Sequence, residues 1–124
     1  MPGELGAQLI DAVAAQDEAA LAECFARAAE FRALTPNGLR ERTGADEVSA
    51  LISGWFGDST ELQLLDSESA EVGDRLHVSY RFAGVEDGEA YVVEQHLFGT
   101  VSDGKIMQAD LLCSGFRPRT AVSA

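Results

Sequence analysis

Three side chains that could take part in metal or acid–base chemistry, His77, His96 and Asp110, lie in the second half of the sequence. Two imidazoles and one carboxylate can together ligate zinc or iron. A four-residue loop at 85–88 would place His77 opposite His96, with Asp110 next to His96 on the following strand. The same side chains also suit a solvated or partner-covered sheet surface. We favour the surface interpretation and therefore predict neither a metal site nor a cofactor.

A second set of side chains is expected to face the interior of the fold. It is mostly apolar, and its few polar members could orient an apolar or aromatic small molecule through hydrogen bonds. Gln95 is the main polar member, and its amide should hydrogen-bond to Tyr80, to water or to a ligand. The alternative is that these side chains merely fill the core. The predicted ligand-binding residues are Thr35, Trp55, Tyr80, Tyr91, Gln95, Leu97, Ala109, Leu111 and Cys113.

No catalytic residue can be assigned within this interior set. A cysteine nucleophile such as Cys113 would need a histidine on its own face of the sheet. Both histidines are expected on the opposite face. The catalytic residues therefore stay unknown.

The last long hairpin positions both sets of residues. Two apolar-rich runs, YVVEQHLFGTV and IMQADLLCSGF, flank SDGK, and a shift of one residue would exchange the two faces of a strand. A two-residue turn at Asp103-Gly104 would place Leu97 on the face of Asp110. A three-residue loop at 102–104 would instead place Leu97 with Leu111. The second choice separates apolar from polar residues better. Its inner face consists of Val93, Gln95, Leu97, Gly99, Val101, Met107, Ala109, Leu111 and Cys113.

The N-terminal half of the sequence predicts three helices. The first contains apolar residues at helical spacing from Leu5 onward, and Asp17 then caps a second helix that runs to Ala28. Thr43 caps the third helix, which ends at Gly57. The second helix is expected to bury Leu21, Cys24, Phe25 and Ala28.

Strands account for the rest of the chain. A short strand at 31–34 ends in the turn TPNG, and from Thr60 onward the pattern has period two, with a turn at 72–74. Helices followed by long antiparallel strands indicate an α+β domain in which a cone-shaped, curved antiparallel sheet wraps around the three helices. We expect a single domain over residues 1–124, with a core at about 5–116 and a C-terminal tail at 117–124.

Composition restricts the choice of partners. Asp and Glu outnumber Lys and Arg by 21 to 9, and the net charge of −12 opposes binding to nucleic acid or to an anionic membrane. No apolar run approaches the ~20 residues of a membrane span, and the N-terminus lacks the features of a signal peptide. We expect a cytoplasmic protein whose partner is a small molecule or a second copy. Cys24 and Cys113 are expected to be buried free thiols.

The order of elements resembles the superfamily of nuclear transport factor 2, ketosteroid isomerase and the SnoaL-type polyketide cyclases, which have a cystatin-like fold. The motifs that carry the resemblance are QDEAAL, the glycine of TGADEV before the third helix, and DGKI. The resemblance covers roughly residues 5–116. It implies the cone-shaped fold and a homodimer formed through the outer face of the sheet. That interface would contain Arg81, Val92, Glu94, His96, Phe98, Asp110 and Leu112.

The catalytic residues of these relatives do not carry over to this sequence. Ketosteroid isomerases use a tyrosine and an aspartate as oxyanion-hole donors and a second aspartate as base, and the matching positions are Ile10, Leu97 and Thr35. SnoaL-type cyclases, and the similar limonene epoxide hydrolases, use an aspartate where this sequence has Leu111, while Asp110 faces the other way. Aliphatic side chains donate no hydrogen bond, and threonine is not a base near neutral pH.

We therefore expect a protein that binds an apolar small molecule. One alternative is an isomerase, cyclase or epoxide hydrolase-like enzyme that uses other residues. The other is a structural dimer with a filled cone.

Overall fold

The structure, a computed structural model, describes residues 4–119 of the chain. It contains three helices, α1 (Glu4–Ala14), α2 (Glu18–Glu23) and α3 (Ala45–Phe56). Its strands are β1 (Phe25–Thr35), β2 (Gly38–Thr43), β3 (Thr60–Val72), β4 (Arg75–Glu86), β5 (Glu89–Ser102), β6 (Lys105–Cys113) and β7 (Arg117–Pro118).

All the strands belong to one curved, unclosed sheet. Its order is β2-β1-β6-β5-β4-β3, and β7 pairs with the beginning of β5. The β1–β6 pair is parallel, and the other pairings are antiparallel. The helices pack on the inner, concave face, which confirms the predicted α+β architecture. No helix in the described part of the chain is long and apolar enough to cross a membrane.

The core lies between the helices and the inner face of the sheet. Leu9 of α1 and Ile52 of α3 are at most 1% exposed, as are Phe82, Leu97 and Leu111 of the sheet. The inward residues of β4 are buried as the sequence pattern predicts, although Ser79 and Ala83 of the other face are buried as well. These inward residues of β4 are Leu76, Val78, Tyr80 and Phe82.

The predicted end of the second helix is wrong. α2 stops at Glu23, and the chain from Phe25 onward is strand β1, so Ala28 is exposed rather than buried in a helix. The segment FARAAEFRALT contains good helix formers, but its pairing with β6 and β2 outweighs their local preference. The sequence pattern also misses β2, and Gly44, not Thr43, is the N-cap of α3.

The β5–β6 hairpin has the predicted inner face but a different turn. Asp103 and Gly104 form a two-residue turn, and both have positive φ, 53° and 73°. Val101 pairs with Ile106 whereas Thr100 pairs with Gln108, so Met107 is an extra residue, a bulge, in β6. The bulge returns Ala109 and Leu111 to the inner face, as predicted. Met107 is consequently 41% exposed, and Ile106 takes the inward position that was predicted for Met107.

The β4–β5 turn also has two residues rather than four. Glu86 pairs with Glu89, and Asp87 has a φ of 53°. His77 therefore pairs with Phe98, not with His96 as the four-residue loop predicted.

The chain after Phe116 is not entirely irregular, because Arg117 and Pro118 pair with Val92 and Tyr91. Regular structure thus extends to Pro118, beyond the point at which the sequence pattern ends it. Residues 120–124, the remainder of the predicted tail, lie outside the described residues.

We expect Gly6→Ala to destabilise the protein by roughly 1–3 kcal/mol, because α1 packs tightly on the sheet at this point. A Cβ at Gly6 would lie 2.8 Å from Ser69 Cβ and 3.3 Å from Val78 Cγ2. Gly54 in α3 is the matched control, since a Cβ there meets nothing within 4 Å. Gly54→Ala should raise the stability by about 0.5–1 kcal/mol. Urea denaturation measures both changes, and equal effects of the two substitutions would contradict the close packing of α1.

Candidate functional site

The mouth of the cone is the end of the sheet at which β1 and β6 finish and β5 begins. α3 also ends there, and the ring of Phe56, its last residue, lies 5.7 Å from that of Phe82. Because β6 stops at Cys113 and β7 pairs with the start of β5, residues 114–119 cross this end. Residues from the ends of β1, β6 and α3 and from the segment 114–119 are therefore close together at the mouth.

A pocket of about 350 Å³ opens at this end, and we call it the mouth pocket. Its volume lies at the lower end of the ~300–1,000 Å³ range of small-molecule sites. Trp55 of α3 and Phe116 supply its two aromatic rings. The lining residues are Thr35, Pro36, Asn37, Arg40, Trp55, Cys113, Gly115, Phe116 and Arg117.

A chain of hydrogen bonds leads from the mouth pocket into the core. Cys113 Sγ accepts from Gln95 Nε2 and from the backbone N–H of Gly115, both at 3.4 Å. Gln95 Oε1 accepts from the Tyr80 hydroxyl at 2.6 Å, which confirms one of the partners predicted for this amide. Gln95 is fully buried, and leaving its amide unpaired would cost about 1–3 kcal/mol.

Phe116 packs over the aromatic end of the core. Its ring centroid lies 4.9 Å from that of Tyr91 and 5.5 Å from that of Phe56. Gly115 has a φ of +87°, and a Cβ there would come within 2.7 Å of Pro36 Cγ. Only glycine fits this turn without strain, and the turn directs the chain back across the mouth.

The structure distributes the predicted ligand-binding residues over three places. Thr35, Trp55 and Cys113 line the mouth pocket. Tyr91 lies beside Phe116 and lines a second pocket of about 370 Å³, and its hydroxyl is 2.6 Å from Ser59 Oγ. The remaining five are at most 2% exposed and lie in the packed core: Tyr80, Gln95, Leu97, Ala109 and Leu111.

The interior lacks groups suited to proton transfer. Among residues 4–119, no Asp, Glu, His, Lys or Arg is buried. Burial raises the pKa of the Tyr80 hydroxyl, so it remains a protonated donor at neutral pH. Burial also raises the pKa of Tyr91, although its hydrogen bond with Ser59 opposes the shift.

The positions that carry ketosteroid isomerase chemistry in the relatives are inert in this fold. Ile10 and Leu97 are buried aliphatic side chains. The Thr35 hydroxyl donates to the Gly38 carbonyl at 2.9 Å and accepts from the Asn37 N–H at 3.2 Å, so it stabilises the β1–β2 turn.

The carboxylate predicted beside the histidines has other partners. Asp110 accepts hydrogen bonds from Arg32 and Gln108, each at 3.0 Å, and it pairs across the sheet with Phe98. The wrong β4–β5 loop length and the bulge in β6 account for the difference. Within the described residues, no group of three or more His, Cys, Asp or Glu is arranged to hold a metal ion.

Glu94 occupies the place predicted for Asp110. Its Oε2 lies 2.7 Å from His96 Nε2, and its Oε1 lies 2.7 Å from Arg81 Nη2. The hydrogen bonds from His96 and then from Arg81 hold the pKa of Glu94 below its usual value. His77 Nε2 lies 3.5 Å from His96 Nδ1, and the His77 ring stacks on Phe98 at 4.5 Å.

Six lining residues of the mouth pocket were not among the predicted site residues, and three of them, Phe116, Arg40 and Arg117, have side chains that could contact a ligand. Phe116 looks like the last residue of a strand, and only the preceding Ser-Gly pair indicates that the chain turns there. Arg40 lies in β2, which the patterns miss. Arg117 lies in a segment that was predicted to be irregular.

Comparison with known proteins gives one family. The family model of the SnoaL-like domain matches residues 7–109. No curated protein shows a significant match to the sequence.

Solved structures show the same fold at low sequence identity. A hypothetical protein from Catenulispora acidiphila with a ketosteroid isomerase-like fold, in complex with trimethylamine, has a TM-score of 0.74 and 14% identity, over 90% of this chain and 85% of that one. A candidate polyketide cyclase from Xanthomonas campestris has a TM-score of 0.71 and 21% identity, over 88% and 87%. An epoxide hydrolase from M. tuberculosis, of the type called LEH-like, has a TM-score of 0.68 and 12% identity, over 90% and 80%.

We expect no isomerisation of a β,γ-unsaturated ketosteroid above the uncatalysed rate. The base position is Thr35, and the two donor positions are aliphatic. Loss of a single oxyanion-hole donor typically costs ~10²–10³ in rate, and here both are missing. An absorbance assay of the conjugated product tests this. Measurable isomerisation that is lost in Tyr80→Phe would prove the argument wrong.

Proposed function

We propose that this chain, which belongs to the SnoaL-like domain family, binds an apolar or aromatic small molecule at the mouth of its cone. The observation that carries the proposal is the mouth pocket of about 350 Å³, which gathers Thr35, Trp55 and Cys113 around one space. Sites of this kind are mostly apolar, with a few polar groups that fix the orientation of the ligand. The mouth pocket is more polar than this, because Thr35, Asn37, Arg40 and Arg117 line it beside the rings of Trp55 and Phe116.

The contacts available in the pocket favour binding over catalysis. Trp55 and Phe116 offer ring surfaces, and aromatic side chains contribute large apolar contact areas. Cys113 connects the pocket to the Gln95–Tyr80 pair, so a ligand that displaces the Cys113 contacts meets an amide and a protonated hydroxyl. Neither group is a base at neutral pH, and no carboxylate or imidazole is buried in the described residues.

The neighbouring structures support a small-molecule role. One of them holds trimethylamine, and others carry names of enzymes that act on small organic compounds. At these identities the likeness establishes the fold, and the fold hosts several functions. The proposal for this chain therefore depends on its own pocket.

Binding at the mouth should change the fluorescence of Trp55, because it is the single tryptophan of the chain and lines the pocket. Titration with alkylbenzenes and monoterpenes, which do not absorb where tryptophan is excited, should give a saturable change in emission. The same compounds should raise the melting temperature, since a ligand at 100 times its dissociation constant adds about 2.7 kcal/mol to the stability.

The two cysteines provide an internal control for the location of the ligand. Cys113 is half-buried in the mouth pocket, whereas Cys24 is 2% exposed and burial raises the pKa of its thiol to about 11. A bound ligand should slow alkylation of Cys113 and leave Cys24 unreactive. A compound that raises the melting temperature without affecting Trp55 or Cys113 binds elsewhere. If no compound has any effect, binding of neutral apolar molecules at the mouth pocket is wrong, and the filled structural cone is favoured.

We also propose that the chain forms a homodimer through the outer face of the sheet. Leu39, Leu34 and Leu112 lie side by side on β2, β1 and β6, and each is 51–52% exposed. Phe98 on β5 is 48% exposed and stacks on His77. A row of exposed apolar side chains across several strands is more than a solvated sheet face usually presents. Charged pairs such as Arg81–Glu94 would form the rim.

Phe98→Glu should convert the dimer to monomers, because it places a carboxylate in the middle of this face. Leu64→Glu is the matched control: Leu64 is 39% exposed on β3 and pairs with Phe82, whose side chain faces inward. Light scattering at micromolar concentration measures the mass of each variant. A monomeric wild-type protein, or equal dissociation in both variants, would exclude this interface.

A further inference from the structure

We propose that the ligand of the mouth pocket carries an anionic group, and that the pocket selects aromatic carboxylates. The inference rests on the proposed function, since it names the class of molecule that the same pocket binds. Its basis is that two arginines, Arg40 and Arg117, line the pocket together with Trp55 and Phe116.

The charge of the pocket is opposite to that of the chain. Asp and Glu outnumber Lys and Arg by 21 to 9, yet the described residues that line the mouth pocket include two arginines and no acid. Four other surface pockets of similar size each contain at least one Asp or Glu. With so many carboxylates in the chain, a pocket whose described lining has two arginines and no acid is an unusual local arrangement.

Among the described residues, no ion pair or side-chain hydrogen bond involves the guanidinium of Arg40 or Arg117. Within residues 4–119, the arginine ion pairs are formed by Arg32, Arg75 and Arg81. Arg40 and Arg117 take part in none of them. The two positive charges at one pocket repel each other. A bound anion would attract both of them and so offset this repulsion.

The fold brings the two arginines together from distant parts of the chain. Arg40 lies on β2 and pairs with Ala33 of β1, whereas Arg117 lies on β7 and pairs with Val92 of β5. Residues 114–116 cross the mouth, and Arg117, which follows them, therefore lines the same pocket as Arg40. Guanidinium groups bind carboxylates through paired hydrogen bonds, and the aromatic rings of the pocket suit the remainder of such a ligand.

Binding of 4-tert-butylbenzoate and of its neutral amide, 4-tert-butylbenzamide, separates charge recognition from apolar contact. Isothermal titration calorimetry should show that the wild-type protein binds the carboxylate roughly tenfold to a hundredfold more tightly than the amide. Arg40→Gln and Arg117→Gln should each reduce this ratio at least several-fold and leave the affinity for the amide nearly unchanged. Arg27→Gln is the matched control, because Arg27 is exposed and lies outside the pocket.

The possible results separate the two proposals. If the amide binds as tightly as the carboxylate, or if Arg27→Gln lowers the ratio as much as the pocket variants do, selection of an anion is wrong and the proposed binding function stands. If neither compound produces heat or alters Trp55 emission, both proposals fail for this class of molecule. Circular dichroism of each variant verifies that the fold is intact.

Discussion

One extra residue in β6 determines which side chains of the longest hairpin face the helices. The Asp103-Gly104 turn has two residues, and by itself it would place Asp110 on the face of Leu97. The bulge at Met107 shifts β6 by one position, so Ala109 and Leu111 face inward and Asp110 faces outward. Without it, a carboxylate would lie in an apolar core, at a cost of several kcal/mol. The neutral interior and the charged outer face both depend on this bulge.

The buried polar side chains of the inner face are tolerated because they hydrogen-bond to one another. Gln95 lies on the inner face of β5, and it is hydrogen-bonded to Tyr80 of β4, its direct cross-strand neighbour. Each supplies what the other needs, because the hydroxyl donates to the amide oxygen, and the amide nitrogen is left free to donate to Cys113. Position in the sheet is therefore sufficient to satisfy two buried polar side chains, and no ionised group is needed. This arrangement keeps the interior uncharged at neutral pH.

Local patterns in the sequence correctly predicted the features that depend on periodicity. They failed where pairing between distant segments determines the secondary structure. The third helix with its end at Gly57 and the inward apolar residues of β4 were predicted correctly, because one face of each element is apolar. The segment from Phe25 to Thr35 was assigned partly to a helix, since its partner β6 lies about 80 residues further along the chain. The inner face of the hairpin was right except at Met107, although its turn was wrong, because apolar side chains select a face and not a loop length. Phe116 and Arg117 could not be placed, since their positions depend on how residues 114–116 cross the mouth.

The distribution of charge across the fold restricts how any ligand could be oriented. Ionised groups lose most of their hydration when they are buried, so an arginine deep in this cone would be strongly destabilising. At the mouth, Arg40 is half-buried and Arg117 is exposed, so neither arginine lies in the apolar core. The apolar surface lies further inward, where Phe116 packs on Tyr91 and Phe56. A molecule with one polar end and one apolar end would therefore bind with its polar end toward solvent, because the opposite orientation would place its charge against aromatic rings and leave the guanidinium groups unpaired.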